Sequence, residues 1–405
     1  MPKIANYVHT LSSGGAEKVA STISMGLGDE YEQYMLLPEG ADIVYDYKGT
    51  LLNVGKKIRL NKFSRFNLFK RILNFHRTLK KLKTVKKENQ LDVVISHLEN
   101  FNFHNILTAG KVNCKTIITV HSVKSKALKN KRIVQRFKEK ALIKILYSKA
   151  DKIVAVSKGI KSDLINNFGL KEDKIIVIYN AFDVSSIIDT SKEKTENEFI
   201  GLFNNQTIVN VASLRYPKGQ WHLLRAFQRV IDDFPESNLL IIGKGDYREY
   251  LQELASQLNI EKNVHFLGFI NNPFKFVSKA DLFVFSSLYE GFGMVLLESM
   301  IVGTPVISTD CRYGPREILA PNTDFEEVAT SIEKHEYGIL VPNLDGRLYS
   351  AETPLTKEEH ALADAMIDTL SSDDLKEKLS RNGKKRAEDF NISSIIKQWE
   401  AIINN

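Results

Sequence analysis

Nine short apolar runs recur along the 405-residue chain: DVVISH (92–97), TIITVH (116–121), KIVAVS (152–157), KIIVIY (174–179), TIVNVA (207–212), NLLIIG (238–243), NVHFLG (263–268), LFVFSS (282–287) and TPVIST (304–309). Each is nearly continuous in Val, Ile, Leu and Phe, the pattern of a strand covered on both faces. The segments between them are long enough for crossover helices. That alternation predicts an α/β chain built on parallel, doubly wound sheets. One stretch breaks the rhythm, VSSIIDTSKEKTENEFIGLFNN (184–205), which is polar and charged. It reads as a linker and gives two Rossmann-like domains, 1–183 and 206–385. The residues 386–405 then supply a last helix that packs back on the first domain. In such sheets ligands bind beyond the carboxyl ends of the strands, so two of these domains facing one another would form a cleft.

The linker also marks a reversal of charge. Residues 1–183 hold 33 Lys and Arg against 16 Asp and Glu, and residues 184–405 hold 23 against 33. The basic half concentrates its charge. Residues 56–87 carry 13 Lys or Arg and no acid, interleaved with Phe63, Phe66, Phe69 and Phe75, and residues 124–149 carry a single acid, Glu139. Stretches this basic and aromatic favour an anionic surface, with anionic lipid ahead of nucleic acid because no nucleic-acid motif accompanies the charge. No run of 18 apolar residues occurs, the opening MPKIANYVHTLSSGG lacks a secretory pattern, and two cysteines exclude a disulfide framework. The expectation is a cytoplasmic protein, peripherally associated with the inner face of the plasma membrane.

The chemistry concentrates in YEGFGMVLLESM (289–300). A strand ends, glycines follow, and an apolar helix begins. Gly291 and Gly293 allow close approach to the backbone, and amides at the helix start suit a diphosphate. Glu298 lies one turn beyond Met294 on the same face, inside an apolar stretch where an unpaired carboxylate is costly. Glu290 precedes the turn.

This segment resembles the Glu-x7-Glu motif of the retaining glycosyltransferase family 4, which has the two-domain GT-B fold. GGAEKV (14–19), TVHS (119–122), AVSKGIKSDL (155–164), VIYNAFD (177–183), YPKGQ (216–220) and GTPVISTD (303–310) resemble further family segments in the same order. CRYGPREIL (311–319) is similar to bacterial capsule, O-antigen and exopolysaccharide transferases.

The resemblance implies transfer of a hexose or N-acetylhexosamine from a nucleotide-diphosphate sugar, a UDP sugar by preference, to a lipid-linked or saccharide acceptor. Glu298 would bind the ribose and Glu290 the donor sugar. Gly291, Phe292, Gly293, Met294, Val295, Leu296 and Leu297 would line the donor, with backbone amides holding sugar and phosphate. Lys218 would neutralise the diphosphate, and His121 would contact the sugar. Gly14 and Gly15 would close on the phosphate, and Phe269 and Ile270 would meet the nucleobase. His97, Glu99 and Asn100 are candidates for the acceptor side.

One departure from the family is that Ser213 stands where an Arg is usual, with Arg215 two positions later as its substitute. No Asp-x-Asp and no metal-ligand cluster occurs, so no cofactor and no essential metal are expected. Other readings on the same architecture are a sugar-nucleotide epimerase, a phosphorylase, or a scaffold with a degenerate site.

Overall fold

The structure is a computed structural model and describes residues 1–12, 14–56, 67–110, 112–129 and 131–404, with the side chains of 67–71 and 129 not described. The chain forms two compact units, Met1–Phe182 with Phe390–Asn405, and Asp183–Asp389.

Unit 1 is built on a seven-stranded sheet. Its strands are β1 (Lys3–Tyr7), β2 (Glu32–Glu39), β3 (Thr50–Lys56), β4 (Val93–His97), β5 (Lys115–Val120), β6 (Lys152–Ala155) and β7 (Ile175–Val177). They lie in the order β3-β2-β1-β4-β5-β6-β7, all parallel. Strands β1, β4, β5 and β6 are buried almost throughout because helices cover both faces. The helix Ile392–Asn404 joins this unit through Ile395, Ile396, Trp399, Ile402 and Ile403, which share a core with Ile4, Val19 and Ile23. Its start is tied by Phe182 N–H to Phe390 O at 2.9 Å and Ile392 N–H to Phe182 O at 2.8 Å.

Unit 2 carries β8 (Thr207–Val211), β9 (Asn238–Ile242), β10 (Val264–Gly268), β11 (Leu282–Phe285), β12 (Val306–Thr309), β13 (Glu333–Lys334) and β14 (Ile339–Val341). Their order is β10-β9-β8-β11-β12-β14-β13, parallel except for the β13 edge. The helix Gln220–Asp233 is locked to the helix Lys357–Leu370 by a buried cluster. There Glu359 accepts from Arg225 Nε at 2.8 Å and lies 2.7 Å from His222 Nδ1.

The stretch 184–205 is not a linker. Asp183 caps the helix Val184–Ser191, and a second short helix, Asn197–Ile200, follows. Both belong to unit 2, held by Lys275 Nζ on Glu196 at 2.7 Å and Asn272 Nδ2 on Thr190 O at 2.8 Å. Its polar composition reflects an exposed face, and its partners lie some 80 residues downstream. The break between units falls instead at Phe182 and again at Asp389, past the helix Asp373–Ala387 that runs through position 385.

Candidate active site

In unit 2 the sheet order reverses between β8 and β11, the point at which doubly wound sheets open a crevice for ligands. The loops leaving these two strands are stitched together. Leu288 N–H donates to Pro217 O at 2.8 Å, and Ser286 Oγ donates to Lys218 O at 2.9 Å. Gly219 sits at φ 58°, and a Cβ there would come within 2.4 Å of Ser286 O, so glycine is what permits the approach.

The stitching brings Lys218 onto Glu290. Lys218 Nζ bonds Glu290 Oε1, which also accepts from Ser287 Oγ at 2.8 Å. The ammonium lies 5.8 Å from the centre of the Phe285 ring. Both charged side chains are largely sheltered, with 23% and 16% of their surface exposed, so their charges interact in a medium less polar than water. A third loop closes behind: Tyr313 N–H donates to Glu290 O at 3.2 Å, and a Cβ on Gly314 would meet Phe292 O at 1.9 Å.

Beyond Glu290 the chain turns at Gly293, φ 88°, into the helix Met294–Val302. Leu296 N–H already donates to Gly293 O at 3.0 Å, and the Leu296 and Leu297 side chains have no exposed surface. Phe292 is also core, at 3% exposure. Sequence reasoning spread donor contacts over all of 291–297. At this terminus the Leu296 N–H is taken up by Gly293 O. The side chains of Leu296, Leu297 and Phe292 are core and hold the helix in place, which leaves only their backbone for a ligand. Glu298 is half-buried one turn on, lining a small crevice with Val211, Phe283 and Val295.

Arg215 is exposed at the entry to the turn Tyr216–Lys218. Phe269 and Ile270 follow β10, and Phe269, 63% exposed, lies under Lys244 Nζ at 5.7 Å from the ring centre. Lys244 was not singled out by sequence, yet its carbonyl accepts from Leu214 N–H at 3.0 Å, next to Ser213.

In unit 1 the reversal lies between β1 and β4. Gly14, φ 125°, precedes the helix Gly15–Gly26 that follows β1. His97 ends β4 and His121 follows β5. His97 Nδ1 is 3.1 Å from His121 Nε2, and His97 Nε2 is 3.4 Å from Asn6 Oδ1. With the Asn6 oxygen as acceptor, His97 carries its proton on Nε2, and its Nδ1 accepts from His121 Nε2–H. Burial pulls the His97 pKa down to about 3. Burial, with His97 and Lys124 nearby, holds His121 well below the usual imidazole range. Both rings are neutral.

His97 therefore does not line an acceptor surface, since none of it is exposed. It is the support of His121. Glu99 remains part-exposed and Asn100 exposed, at the start of the helix Glu99–Ala109. Glu99 pairs with Lys124 at 2.9 Å. Burial would discharge Lys124, but Tyr147, Glu99 and Asp163 outweigh it and raise its pKa. Lys124 thus belongs to this cluster and not to an outward basic face. Neither Lys124, Ser287 nor Asn6 carried a signal in the sequence beyond residue type. Among the described residues no group of three or more His, Cys, Asp or Glu is placed to hold a metal ion.

Comparison with known proteins agrees with this architecture. Residues 13–186 match the profile of Glycosyltransferase Family 4, and residues 193–334 that of Glycosyl transferases group 1. An uncharacterized glycosyltransferase of Methanocaldococcus jannaschii is 33% identical over 335 residues, 78% of this chain and 80% of that protein. The Campylobacter jejuni N-acetylgalactosamine-N,N'-diacetylbacillosaminyl-diphospho-undecaprenol 4-alpha-N-acetylgalactosaminyltransferase is 27% identical over 397 residues, 98% of each chain. Among solved structures, Anabaena HepE in complex with UDP and glucose superposes with a TM-score of 0.75 at 18% identity, covering 100% of both chains. Two Rossmann-like sheets, parallel but for one edge strand, match the GT-B fold of such proteins, and with the sequence relationships they establish that this chain is a glycosyltransferase of family 4.

Proposed function

We propose that this chain is a retaining glycosyltransferase that moves a hexose or N-acetylhexosamine from a UDP-linked donor to a lipid-linked or saccharide acceptor in the synthesis of a bacterial surface polysaccharide. The observation that carries this reading is the Lys218–Glu290–Ser287 cluster at the carboxyl ends of β8 and β11, beside the helix terminus at Gly293. The Campylobacter relative, which by its name acts on a diphospho-undecaprenol saccharide, lends support to the acceptor class.

In this mechanism Glu298 holds the ribose and Glu290 the donor sugar's hydroxyls. Lys218, aided by Arg215 and the amides of Met294 and Val295, stabilises the charge that grows on the diphosphate as the anomeric carbon–oxygen bond breaks. The acceptor oxygen bonds that carbon on the same face, its proton passes to the departing phosphate oxygen, and neutral His121 hydrogen-bonds the sugar. The chain's own cations and helix terminus carry the phosphate charge, and no metal is assigned. The test is incubation with a panel of UDP-hexoses and UDP-N-acetylhexosamines, with the anomeric configuration of the product read by proton NMR. An inverted product, or epimerised donor with no transfer, would overturn it.

The membrane part of the proposal gains a physical handle. Residues 57–66 lie outside the described residues, which leaves Lys56 and the helix Asn67–Glu88 of the first basic stretch. In the second, the outward face of the helix Ile133–Tyr147 is apolar: Ile133, Val134, Phe137 and Ile145 are 73%, 67%, 69% and 56% exposed. Arg132, Arg136, Lys138, Lys140 and Lys144 flank it. An apolar stripe edged with cations suits an anionic lipid surface at the inner face of the plasma membrane. No helix among the described residues is long and apolar enough to cross a membrane. The double variant Ile133→Asp/Phe137→Asp is expected to bind phosphatidylglycerol vesicles at least about tenfold more weakly, since each buried side chain is worth about 1.5–3 kcal/mol. Unchanged co-sedimentation would remove the helix from the interface.

A further inference from the structure

A cavity of about 810 Å³ in unit 1 opens at the strand-order reversal between β1 and β4. Tyr7 and His9 reach it from the end of β1, and Leu98, Glu99 and Asn100 from the end of β4. Phe75 closes it from the helix Asn67–Glu88. Its size falls in the range of small-molecule sites, about 300–1,000 Å³. Leu98 adopts φ 70°, a left-handed conformation that is strained for a branched apolar residue, and it sets the direction of Glu99 and Asn100.

The lining divides into an aromatic floor and a polar rim. Tyr7 meets Phe101 edge-on with ring centres 4.8 Å apart, and Phe75 lies 4.9 Å from His104. Tyr7 Oη and His104 Nδ1 are 3.1 Å apart, so the floor's polar atoms satisfy each other and ring surfaces are left for a ligand. Burial keeps His104 neutral, with its pKa pulled down to about 4. At the rim the Glu99 charge is balanced by Lys124 at 2.9 Å, and Asn100 is exposed. Lys56 also lines the pocket but is paired with Glu39 at 3.3 Å, so a phosphate, which needs uncompensated cations, gains little there. An isoprenoid chain would leave the carboxylate and amide unused. An uncharged ring with an apolar C–H face and hydroxyls at its edge matches both parts.

We propose that this pocket seats a neutral pyranose residue of the acceptor, stacked on the Phe75–Phe101 floor with its hydroxyls on Glu99 and Asn100. The assignment to the acceptor rests on the transferase reading above.

The experiment uses the full chain and methyl glycosides of glucose, galactose, N-acetylglucosamine and N-acetylgalactosamine as probes. Binding is followed by the imidazole NMR resonances of His104 and His9 without any nucleotide sugar. Saturable shifts from at least one glycoside are expected. Phe75→Ala should weaken that binding about tenfold, the scale of one aromatic contact, and leave UDP binding by thermal shift unchanged. Asn100→Ala, an exposed change with little bearing on folding, should weaken it severalfold.

Absence of shifts from every glycoside, or full affinity in both variants, would overturn the proposal. So would n-octanol moving His104 as strongly as octyl glycosides, which would mark a lipid seat. The two readings fail separately. UDP-sugar turnover without glycoside binding refutes this pocket alone, and glycoside binding in a chain that neither binds nor consumes UDP-sugars refutes the transferase reading while the carbohydrate seat stands.

Discussion

Lys218→Ala is expected to lower kcat for sugar transfer by about 10²- to 10³-fold, the scale of removing one pre-set charge partner from a developing oxyanion. Lys218 is held by three contacts: its carbonyl by Ser286, and its ammonium both by Glu290 and over the Phe285 ring. Such a cation needs little reorganisation when charge appears on the leaving phosphate. Glu290→Gln should cost less, because the amide keeps the shape and still accepts from Ser287 while losing the pairing that aims Lys218. The two residues act as a unit, so Lys218→Ala/Glu290→Ala should be no slower than the slower single variant by more than a few-fold. Steady-state rates for the three variants at saturating donor check this. Full multiplication of the two defects would mean that the residues serve separate steps. Wild-type rates in Lys218→Ala would move the phosphate site elsewhere, with Arg215 and Lys244 the next cations to examine.

The nine apolar runs were legible as strands because both faces of the central sheet strands are covered, which leaves an unbroken β-branched signature. Strands β1, β2, β3, β13 and β14 lie outside the nine runs. Pro38 stands near the end of β2, and β3 is half exposed, with Gly55 and Lys56 at its end. Full burial also hides orientation. All of β4 is buried, so no alternation in the sequence tells which way His97 points, and an inward histidine reads like an acceptor contact. The stretch 184–205 failed for a different reason. Its helices depend on Asp183 as a cap and on Asn272 and Lys275 as partners, and composition registers none of these. Glu290 and Lys218 were legible as a motif, but their contact was not, because it spans 72 residues and is made by two loops meeting over Gly219. Ser287 and Lys124 are ordinary residue types at ordinary positions until the fold brings them to a carboxylate.

The buried histidines of unit 1 make its stability depend on pH. His97 and His104 are held neutral in the fold by burial, with pKa values near 3 and 4 against 6.5 in the unfolded chain. A depressed pKa means that the unfolded state binds more protons. Stability is therefore fully present above pH 6.5 and falls as the pH drops toward the folded values. At pH 5 each of the two contributes a loss of about 2 kcal/mol, together about 4 kcal/mol, against a typical domain stability of about 5–15 kcal/mol. His121 acts in the same direction, its shift likewise led by burial. In unit 2 burial also lowers the pKa of His265. Unit 1 should accordingly open first on acidification. Amide hydrogen exchange read by mass spectrometry at pH 7 and pH 5, corrected for intrinsic rates, should show protection falling in β1, β4 and β5 while β8, β9 and β11 hold. His104→Asn should remove about 2 kcal/mol of that pH dependence, and an identical pH response in the variant would show that His104 is not a source. Transfer activity should fall in the same window only as far as unit 1 opens, because within the fold His97 stays neutral until the pH approaches 3. His97 and His121 share one hydrogen bond across 3.1 Å, which requires one ring to donate and the other to accept. A second proton would set two N–H groups head to head and release His121 from the position in which it is proposed to meet the sugar.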